Sequence, residues 1–128
     1  MKAFEYTVCT SKSFDAAVAA IAAKSAEKGF RVLHIHDVAA TLAEKGFPRE
    51  PLKIIEICNA KYASQVLEKD VKTALMLPCP ICVYTEKGQT YISTLLPTSI
   101  ADFFPQAGIA SLAAEVEQIV LAIVHEAR

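Results

Sequence analysis

The chain has 128 residues and a mass of 13.9 kDa, which is the size of one domain with a single hydrophobic core. Hydrophobic residues make up 53% of the sequence and charged residues 21%, a composition that excludes intrinsic disorder. The 13 basic and 14 acidic residues leave a formal net charge of -1, so nothing in the charge balance points to nucleic acid. The mean hydropathy of +0.33 is high for a chain with this much charge, so we expect self-association to cover part of the apolar surface.

The N-terminal residues lack the apolar stretch that is typical of a signal peptide. The longest apolar runs, residues 16–23 and 119–124, fall far short of the roughly 20 residues that span a bilayer. We therefore expect a cytoplasmic protein with no membrane partner. In that reducing compartment the four cysteines would be free thiols.

The beginning of the chain predicts a strand followed by a helix. Residues 3–9 are rich in β-branched and aromatic side chains with rough alternation, which is typical of a strand. Ser11 or Ser13 can cap a helix over residues 14–28, whose apolar residues recur at helical spacing. Gly29 is expected to end this helix, because glycine adopts the left-handed conformation readily.

The next part of the chain repeats this order twice. Residues 30–36 predict a second strand, after which Asp37 caps a short helix that Gly46 ends. Residues 52–58 predict a third strand, and Asn59 is expected to cap the helix that follows it.

The clearest pattern in the chain is a β-hairpin over residues 81–96. Its two β-rich runs flank Gly88, which can adopt the positive φ of a tight turn. Tyr84 and Tyr91 are expected to be cross-strand neighbours that contribute to sheet packing. Pro97 ends the hairpin.

The last element is a helix from about Ser111 to Glu126, with apolar residues in register. The hairpin implies an antiparallel edge, and the helices are too few and too unevenly placed for a doubly wound parallel sheet. We therefore predict one α+β domain over residues 1–128. It would have a single antiparallel or mixed sheet of about five strands, with helices packed on one face. The other face would meet solvent or a partner subunit.

Cys79 and Cys82 form a C-x-x-C motif, which can serve as half of a metal site or as a redox pair. The motif leads into a strand, so it lacks the helix dipole that lowers the pKa of redox-active cysteines. Two prolines flank Cys79 and hold it in an extended backbone. Three interpretations stay open, namely a metal half-site, a redox pair, and small side chains that only pack in a buried strand.

Cys58 directly precedes the predicted helix cap Asn59. A thiol near the positive end of a helix dipole can have a pKa well below the free value of about 8.5. Of the four cysteines, Cys58 therefore has the best local reason to be reactive. The alternative is a packing residue at the end of a strand.

His34 and His36 lie two residues apart on a predicted strand, so their side chains share a face. Both imidazoles could bind one metal ion, with the Asp37 carboxylate nearby to orient them. The alternative is a pair of histidines on a solvated or interfacial face. The sequence contains no glycine-rich phosphate loop, no G-x-S-x-G and no H-E-x-x-H motif, so it indicates no particular reaction.

Three segments of the chain form a recognisable set: EICNAKYA (56–63), MLPCPICVYTEKG (76–88) and GFRVLHIHDVAATLAEKG (29–46). Together they resemble the family called domain of unknown function 302, over a region from about Phe14 to Pro97. The resemblance implies a small α+β domain that is often dimeric, and it implies no particular activity.

Cys58 and Cys79 both match the family pattern, so the resemblance implies that a shared thiol-based function would involve this pair. Ala60 stands where the family usually has proline, the favoured first residue of a capped helix. Pro80 and Cys82 stand where the family more often has polar and apolar residues. The C-x-x-C motif is thus a feature of this sequence and not of the resemblance.

These observations favour a small binding module over an enzyme. We expect it to engage a soft metal ion or a sulfur species at a site formed by Cys58, Asn59, Cys79 and Cys82, with His34 and His36 as accessory metal ligands. Two alternatives stay open. One is a thiol-dependent redox enzyme or carrier with Cys58 as its nucleophile, and the other is a structural or interaction domain whose cysteines only pack.

Overall fold

The computed structural model describes residues 3–128. These residues form five strands, five α-helices and one 3₁₀ helix. In chain order the elements are β1 (Glu5–Thr10), α1 (Phe14–Glu27), β2 (Arg31–Asp37), α2 (Val38–Glu44), β3 (Leu52–Cys58), α3 (Ala60–Lys69), the 3₁₀ helix (Val71–Met76), β4 (Cys79–Glu86), β5 (Gln89–Leu95), α4 (Pro97–Phe103) and α5 (Ala110–Ala127).

The five strands form one sheet in the order β1-β5-β4-β3-β2, in which all neighbours are antiparallel. The predicted α+β fold is therefore confirmed. The hairpin β4–β5, which was expected to form an edge, lies in the centre, because β1 pairs along β5 and β3 pairs along β4. The two edges are β1 and β2.

One face of the sheet packs against α1 and α5 and forms the core. Apolar side chains alternate along the strands, and those on the inner face are almost completely buried: Val8, Ile55, Ile57, Ile81, Val83 and Ile92. Burying one such side chain contributes about 1.5–3 kcal/mol, so this layer stabilises the fold together with the helix residues packed on it.

The opposite side of the sheet is called the outer face below. Its central row of residues follows the strand register from β1 to β2: Thr7, Ser93, Cys82, Ile54 and His36. These side chains are half-buried or exposed. The sheet thus separates two environments, a packed face and an accessible one.

Side-chain caps fix the start of three of the α-helices. Ser13, rather than Ser11, accepts a hydrogen bond from the N–H of Ala16 and caps α1. Asp37 caps α2 in the same way, and Asn59 caps α3, as predicted. Gly29 has φ 79°, a left-handed conformation that is energetically unfavourable for residues with a Cβ atom. Glycine at this position therefore allows the turn from α1 into β2.

Two elements were not anticipated from the sequence, the 3₁₀ helix and α4. Pro97 was expected only to end the hairpin, but it also occupies the first turn of α4, where its missing N–H costs nothing. The peptide bond between Leu77 and Pro78, which links the 3₁₀ helix to β4, is cis. Among residues 3–128, no helix has the length and apolarity to cross a membrane.

Candidate functional site

An apolar pocket lies where β3 ends and β4 begins, on the side of the sheet that the helices cover. Its cavity measures about 50 Å³. The walls come from six elements: β3, α3, the 3₁₀ helix, β4, α4 and α5. The lining residues include Cys58, Cys79, Tyr62 and Val66 of α3, Ile100 of α4, and Ala113 of α5. We call this cavity the thiol pocket.

The sheet brings Cys58 and Cys79 together although 20 residues separate them in the chain. Cys79 opens β4 and is the register partner of Ile57, the residue before Cys58. Paired Cα atoms of antiparallel strands lie about 4.5–5.5 Å apart, so the two cysteines are close neighbours. Both line the thiol pocket, because the chain leaves β3 at Cys58 and turns into α3.

Burial keeps both thiols of the pocket protonated at neutral pH. Desolvation, with a smaller contribution from charge repulsion by the nearby Cys58, raises the pKa of Cys79 to about 11. Desolvation also raises the pKa of Cys58. Burial thus raises the pKa of Cys58, whereas its position just before a helix led us to expect a lowered value.

Asn59 holds the backbone on both sides of the pocket entrance. Its side-chain oxygen accepts a hydrogen bond of 3.1 Å from the N–H of Tyr62, which caps α3. Its amide nitrogen donates a bond of 3.0 Å to the carbonyl of Gly29, in the turn between α1 and β2. Asn59 thus fixes the position of Cys58 relative to a turn 30 residues away.

Cys82 lies away from the thiol pocket. Residues three apart on a strand face opposite sides of a sheet, so Cys79 points to the inner face and Cys82 to the outer face. There Cys82 lines a separate groove, and burial raises the pKa of its thiol. Cys9 is exposed on the edge strand β1 and donates a hydrogen bond to Gln89.

His34 and His36 share the outer face, as expected for residues two apart on β2. Their rings meet edge to face with centroids 4.4 Å apart. His36 also forms a 2.8 Å contact with the carboxylate of Glu56 on β3. Within residues 3–128, no three His, Cys, Asp or Glu side chains converge to hold a metal ion. Neither histidine lines the thiol pocket.

The sequence did not reveal the residues that close the pocket from α4 and α5, namely Pro97, Ile100, Ile109, Ala113 and Val116. Pro97 carried the one available signal, because proline favours the first turn of a helix as well as the end of a strand. On the floor of the pocket Thr73 is fully buried and donates its hydroxyl proton to the carbonyl of Asp70 at 2.7 Å. The pocket therefore presents thiols as its reactive groups.

Comparison with known proteins identifies relatives of this chain. The model of the family described as "Domain of unknown function DUF302" matches residues 6–127. The chain belongs to the DUF302 family. The match includes Cys58, Asn59 and Cys79, the residues that form the entrance and wall of the thiol pocket.

One solved structure shows the same DUF302 fold. It is the crystal structure of an uncharacterised conserved DUF302 protein from Bacillus stearothermophilus, which is 30% identical to this chain. The two superpose with a TM-score of 0.94, and the alignment covers 99% of this chain and 100% of the other. A search of curated proteins finds no relative of this DUF302 domain.

Proposed function

We propose that this DUF302 domain is a binding module that holds a soft, sulfur-seeking ligand between Cys58 and Cys79. The ligand would be a monovalent soft metal ion or a sulfane sulfur atom. The observation that carries the proposal is the meeting of two thiols, distant in the chain, on the wall of one apolar pocket. Soft thiolate ligands select soft ions, which form strong bonds with sulfur and lose little by leaving water.

The size of the thiol pocket restricts its occupant. A water molecule needs about 10–15 Å³ of such volume, and pockets for organic ligands usually measure about 300–1,000 Å³. A cavity of about 50 Å³ therefore suits an ion or a species of one or two heavy atoms. An organic cofactor would not fit without opening the helices.

The donor set restricts the kind of metal. Structural zinc takes four protein ligands, and the described part of the chain offers no cluster of even three. Two thiolates suffice for a monovalent soft ion such as Cu(I) or Ag(I), which accepts two-coordinate binding. The ion would displace two thiol protons, so its binding should strengthen as pH rises.

For sulfane sulfur the step needs one thiol. The sulfur of Cys58 or Cys79 forms an S–S bond with the terminal sulfur of a polysulfide. The outermost S–S bond of the polysulfide breaks, and the polysulfide departs with one sulfur atom fewer. The thiol proton moves to the terminal sulfur of the new persulfide, and no outside oxidant is required. The neighbouring apolar walls would shield the persulfide from water.

The raised pKa values of Cys58 and Cys79 favour this binding role over the thiol-dependent enzyme or carrier. A cysteine nucleophile attacks as a thiolate, and catalytic sites usually lower its pKa. Here both thiols stay protonated near neutral pH, so the binding of a soft ion and the uptake of a sulfur atom should both become more favourable as pH rises.

A variant that lacks Cys9 and Cys82 provides the background for the test, since only the pocket thiols remain. Native mass spectrometry under anaerobic conditions, with Ag(I) buffered by a competing ligand, should show one ion per chain. Adding Cys58→Ala or Cys79→Ala should weaken binding by about 100-fold or more, because one of two metal–sulfur bonds is lost. A parallel incubation with tetrasulfide tests for one added sulfur atom.

Each outcome has a clear meaning. Stoichiometric Ag(I) alone supports the metal ligand, and one added sulfur atom alone supports the sulfur ligand. Removal of Cys58 or Cys79 without effect on either product would overturn the proposal, as would the absence of both products. The cysteines would then be packing residues.

We also propose that the domain acts as a cytoplasmic homodimer. Four unpaired thiols suit a reducing compartment. Three large apolar side chains of the 3₁₀ helix and α4 are more than 70% exposed and would gain from burial against a second copy: Val71, Leu75 and Phe103. Sedimentation equilibrium should give twice the 13.9 kDa chain mass, and Leu75→Ser should weaken the dimer. A single-chain mass at micromolar concentration would contradict this proposal.

A further inference from the structure

The outer face of the sheet carries a second cavity that is unrelated to the thiol pocket. It is a groove of about 410 Å³ formed by residues of β1, β4 and β5, together with Phe4. Its polar lining includes Glu5, Thr7, Tyr84 and Ser93. We call it the outer groove. Its volume falls within the range of about 300–1,000 Å³ that is usual for small organic ligands.

Four side chains in the outer groove form one continuous chain of hydrogen bonds across three strands. The Tyr84 hydroxyl lies 2.8 Å from that of Ser93 on β5. The Ser93 hydroxyl lies 2.7 Å from that of Thr7 on β1. Thr7 in turn donates its hydroxyl proton to the carboxylate of Glu5.

The carboxylate fixes the direction of every bond in this chain, because each hydroxyl has only one proton to donate. Thr7 gives its proton to Glu5, so it must accept from Ser93. Ser93 has then used its own proton and must accept from Tyr84. All three hydroxyl protons therefore point along the chain towards Glu5.

This direction determines what the outer groove can still bind. The unused hydrogen-bonding capacity consists of lone pairs, chiefly on the Tyr84 oxygen and the Glu5 carboxylate. Among the lining residues within 3–128, none is Lys, Arg or His, and Thr94 already donates its hydroxyl proton to the carbonyl of Pro80. In this part of the lining the weak S–H group of Cys82 is the remaining side-chain donor. The described side chains thus offer acceptors and one negative charge, and they include no strong donor.

The rest of the lining supplies an apolar surface beside these acceptors. Phe4, Pro80 and Leu95 form part of the wall. The Tyr84 ring stacks on Tyr91 with centroids 5.6 Å apart, which holds the Tyr84 oxygen and ring in place. A cation near such a ring is attracted by the negative face of its π-system.

We propose that the outer groove binds a small aliphatic ammonium compound. Its N–H groups would donate to the Glu5 carboxylate, and its alkyl stem would lie against the apolar side chains of Phe4 and Leu95. A neutral alcohol of the same length could donate one hydrogen bond but would supply no positive charge beside the Glu5 carboxylate. An alkyl carboxylate would be repelled by Glu5.

This inference does not depend on the proposed function of the thiol pocket. The two cavities lie on opposite faces of the sheet and share no lining residue. Loss of either binding activity would leave the other unaffected.

The test uses the complete chain and three probes of matched length, n-butylammonium, n-butanol and butyrate. In ¹H–¹⁵N correlation spectra, n-butylammonium should shift the amide signals of Thr7, Tyr84 and Ser93 in a saturable manner. It should bind about tenfold more tightly than n-butanol, which is the usual effect of one charge-assisted hydrogen bond. Butyrate should cause no saturable shift.

Two variants assign the effect to the groove. Glu5→Gln keeps a hydrogen-bond acceptor but removes the charge, and it should weaken n-butylammonium binding by about tenfold. Glu115→Gln on α5 makes the same change of net charge at an exposed position outside the groove, and binding should not change. Equal affinity for n-butylammonium and n-butanol would overturn the proposal, and so would unchanged binding in Glu5→Gln protein.

Discussion

At the scale of single residues, Asn59 shows how one side chain can organise a site. It accepts from Tyr62 N–H to start α3 and donates to the Gly29 carbonyl to hold a distant turn. Aspartate or serine could serve as the cap, but only an amide of this length offers both an acceptor and a donor. The Cys-Asn motif therefore combines a ligand candidate with the residue that positions it.

Two substitutions separate the two roles of Asn59. Asn59→Ala should lower the free energy of unfolding by about 2 kcal/mol, since it removes a cap and a second hydrogen bond. Asn59→Ser keeps a good cap but is too short to reach Gly29, and it should cost only about 1 kcal/mol. Urea denaturation measures both values. Equal losses in the two variants would mean that the cap contributes nothing.

The raised pKa of Cys79 should make stability depend on pH in the alkaline range. Between pH 9 and pH 11 the thiol ionises in the unfolded chain but stays protonated in the folded one, whose pKa is about 11. The folded state then binds one proton more than the unfolded chain. The stabilisation that comes from this proton is fully present below pH 9 and is lost as pH rises through this window. The loss should reach about 3 kcal/mol at most.

Cys79→Ala is the matched comparison for this pH effect, because other groups also titrate above pH 9. The free energy of unfolding of the original protein, measured by denaturation at each pH, should fall steeply from pH 9 to 11. The free energy of unfolding of the variant should fall less over the same range. Parallel curves for the two proteins would show that the Cys79 thiol titrates normally in the folded state.

At the scale of elements, strand geometry decides the fate of the C-x-x-C motif. The sequence left a metal half-site, a redox pair and simple packing open for Cys79 and Cys82. In β4 the two side chains point to opposite faces, and three strand residues span about 10 Å. A disulfide requires Cα atoms within about 7 Å, so the motif cannot close without breaking the strand.

Mild oxidation with diamide should therefore produce no bond between Cys79 and Cys82. Peptide mapping by mass spectrometry after alkylation of the remaining thiols would detect such a bond directly. Recovery of a Cys79–Cys82 disulfide from protein that retains its circular dichroism spectrum would contradict the strand assignment and restore the redox interpretation.

Local signals in the sequence were sufficient for most elements. Caps at Asp37 and Asn59 and the glycine turn at Gly88 are set by residues within one turn of the chain, and they form as predicted. The 3₁₀ helix and α4 were missed. Both helices are short, and α4 begins without a side-chain cap, so the sequence shows little local pattern for them. Their existence depends on packing against α3 and α5.

At the scale of the whole molecule, the thiol pocket exists only because several distant segments pack together. Its walls run from Phe30 to Val116 in the sequence. The family resemblance indicated the pair Cys58 and Cys79, and alternation predicted their strands, but no local rule places α4 and α5 over them. The hairpin likewise lies in the centre of the sheet only because β1 and β3 pair along its two sides. The local sequence pattern does not reveal that pairing.

Filling the thiol pocket should abolish ligand binding without unfolding the protein. Ala113 on α5 lines the cavity and is 7% exposed, so Ala113→Val would place two methyl groups in the space of about 50 Å³. Valine lowers helix propensity by about 0.5 kcal/mol, and the exposed neighbour Ala114→Val controls for that cost. Both variants should remain folded in thermal scans, and only Ala113→Val should lose Ag(I). Equal Ag(I) binding by the two would place the ion elsewhere.

The most direct measurement of the central claim is X-ray absorption spectroscopy of Cu(I) bound to the protein that lacks Cys9 and Cys82. If Cys58 and Cys79 hold the ion in the thiol pocket, the spectrum should show two sulfur neighbours and no imidazole nitrogen. Nitrogen neighbours would instead point to His34 and His36 on the outer face. Such a result, or failure to retain one Cu(I) per chain, would contradict a soft-metal site between the two thiols.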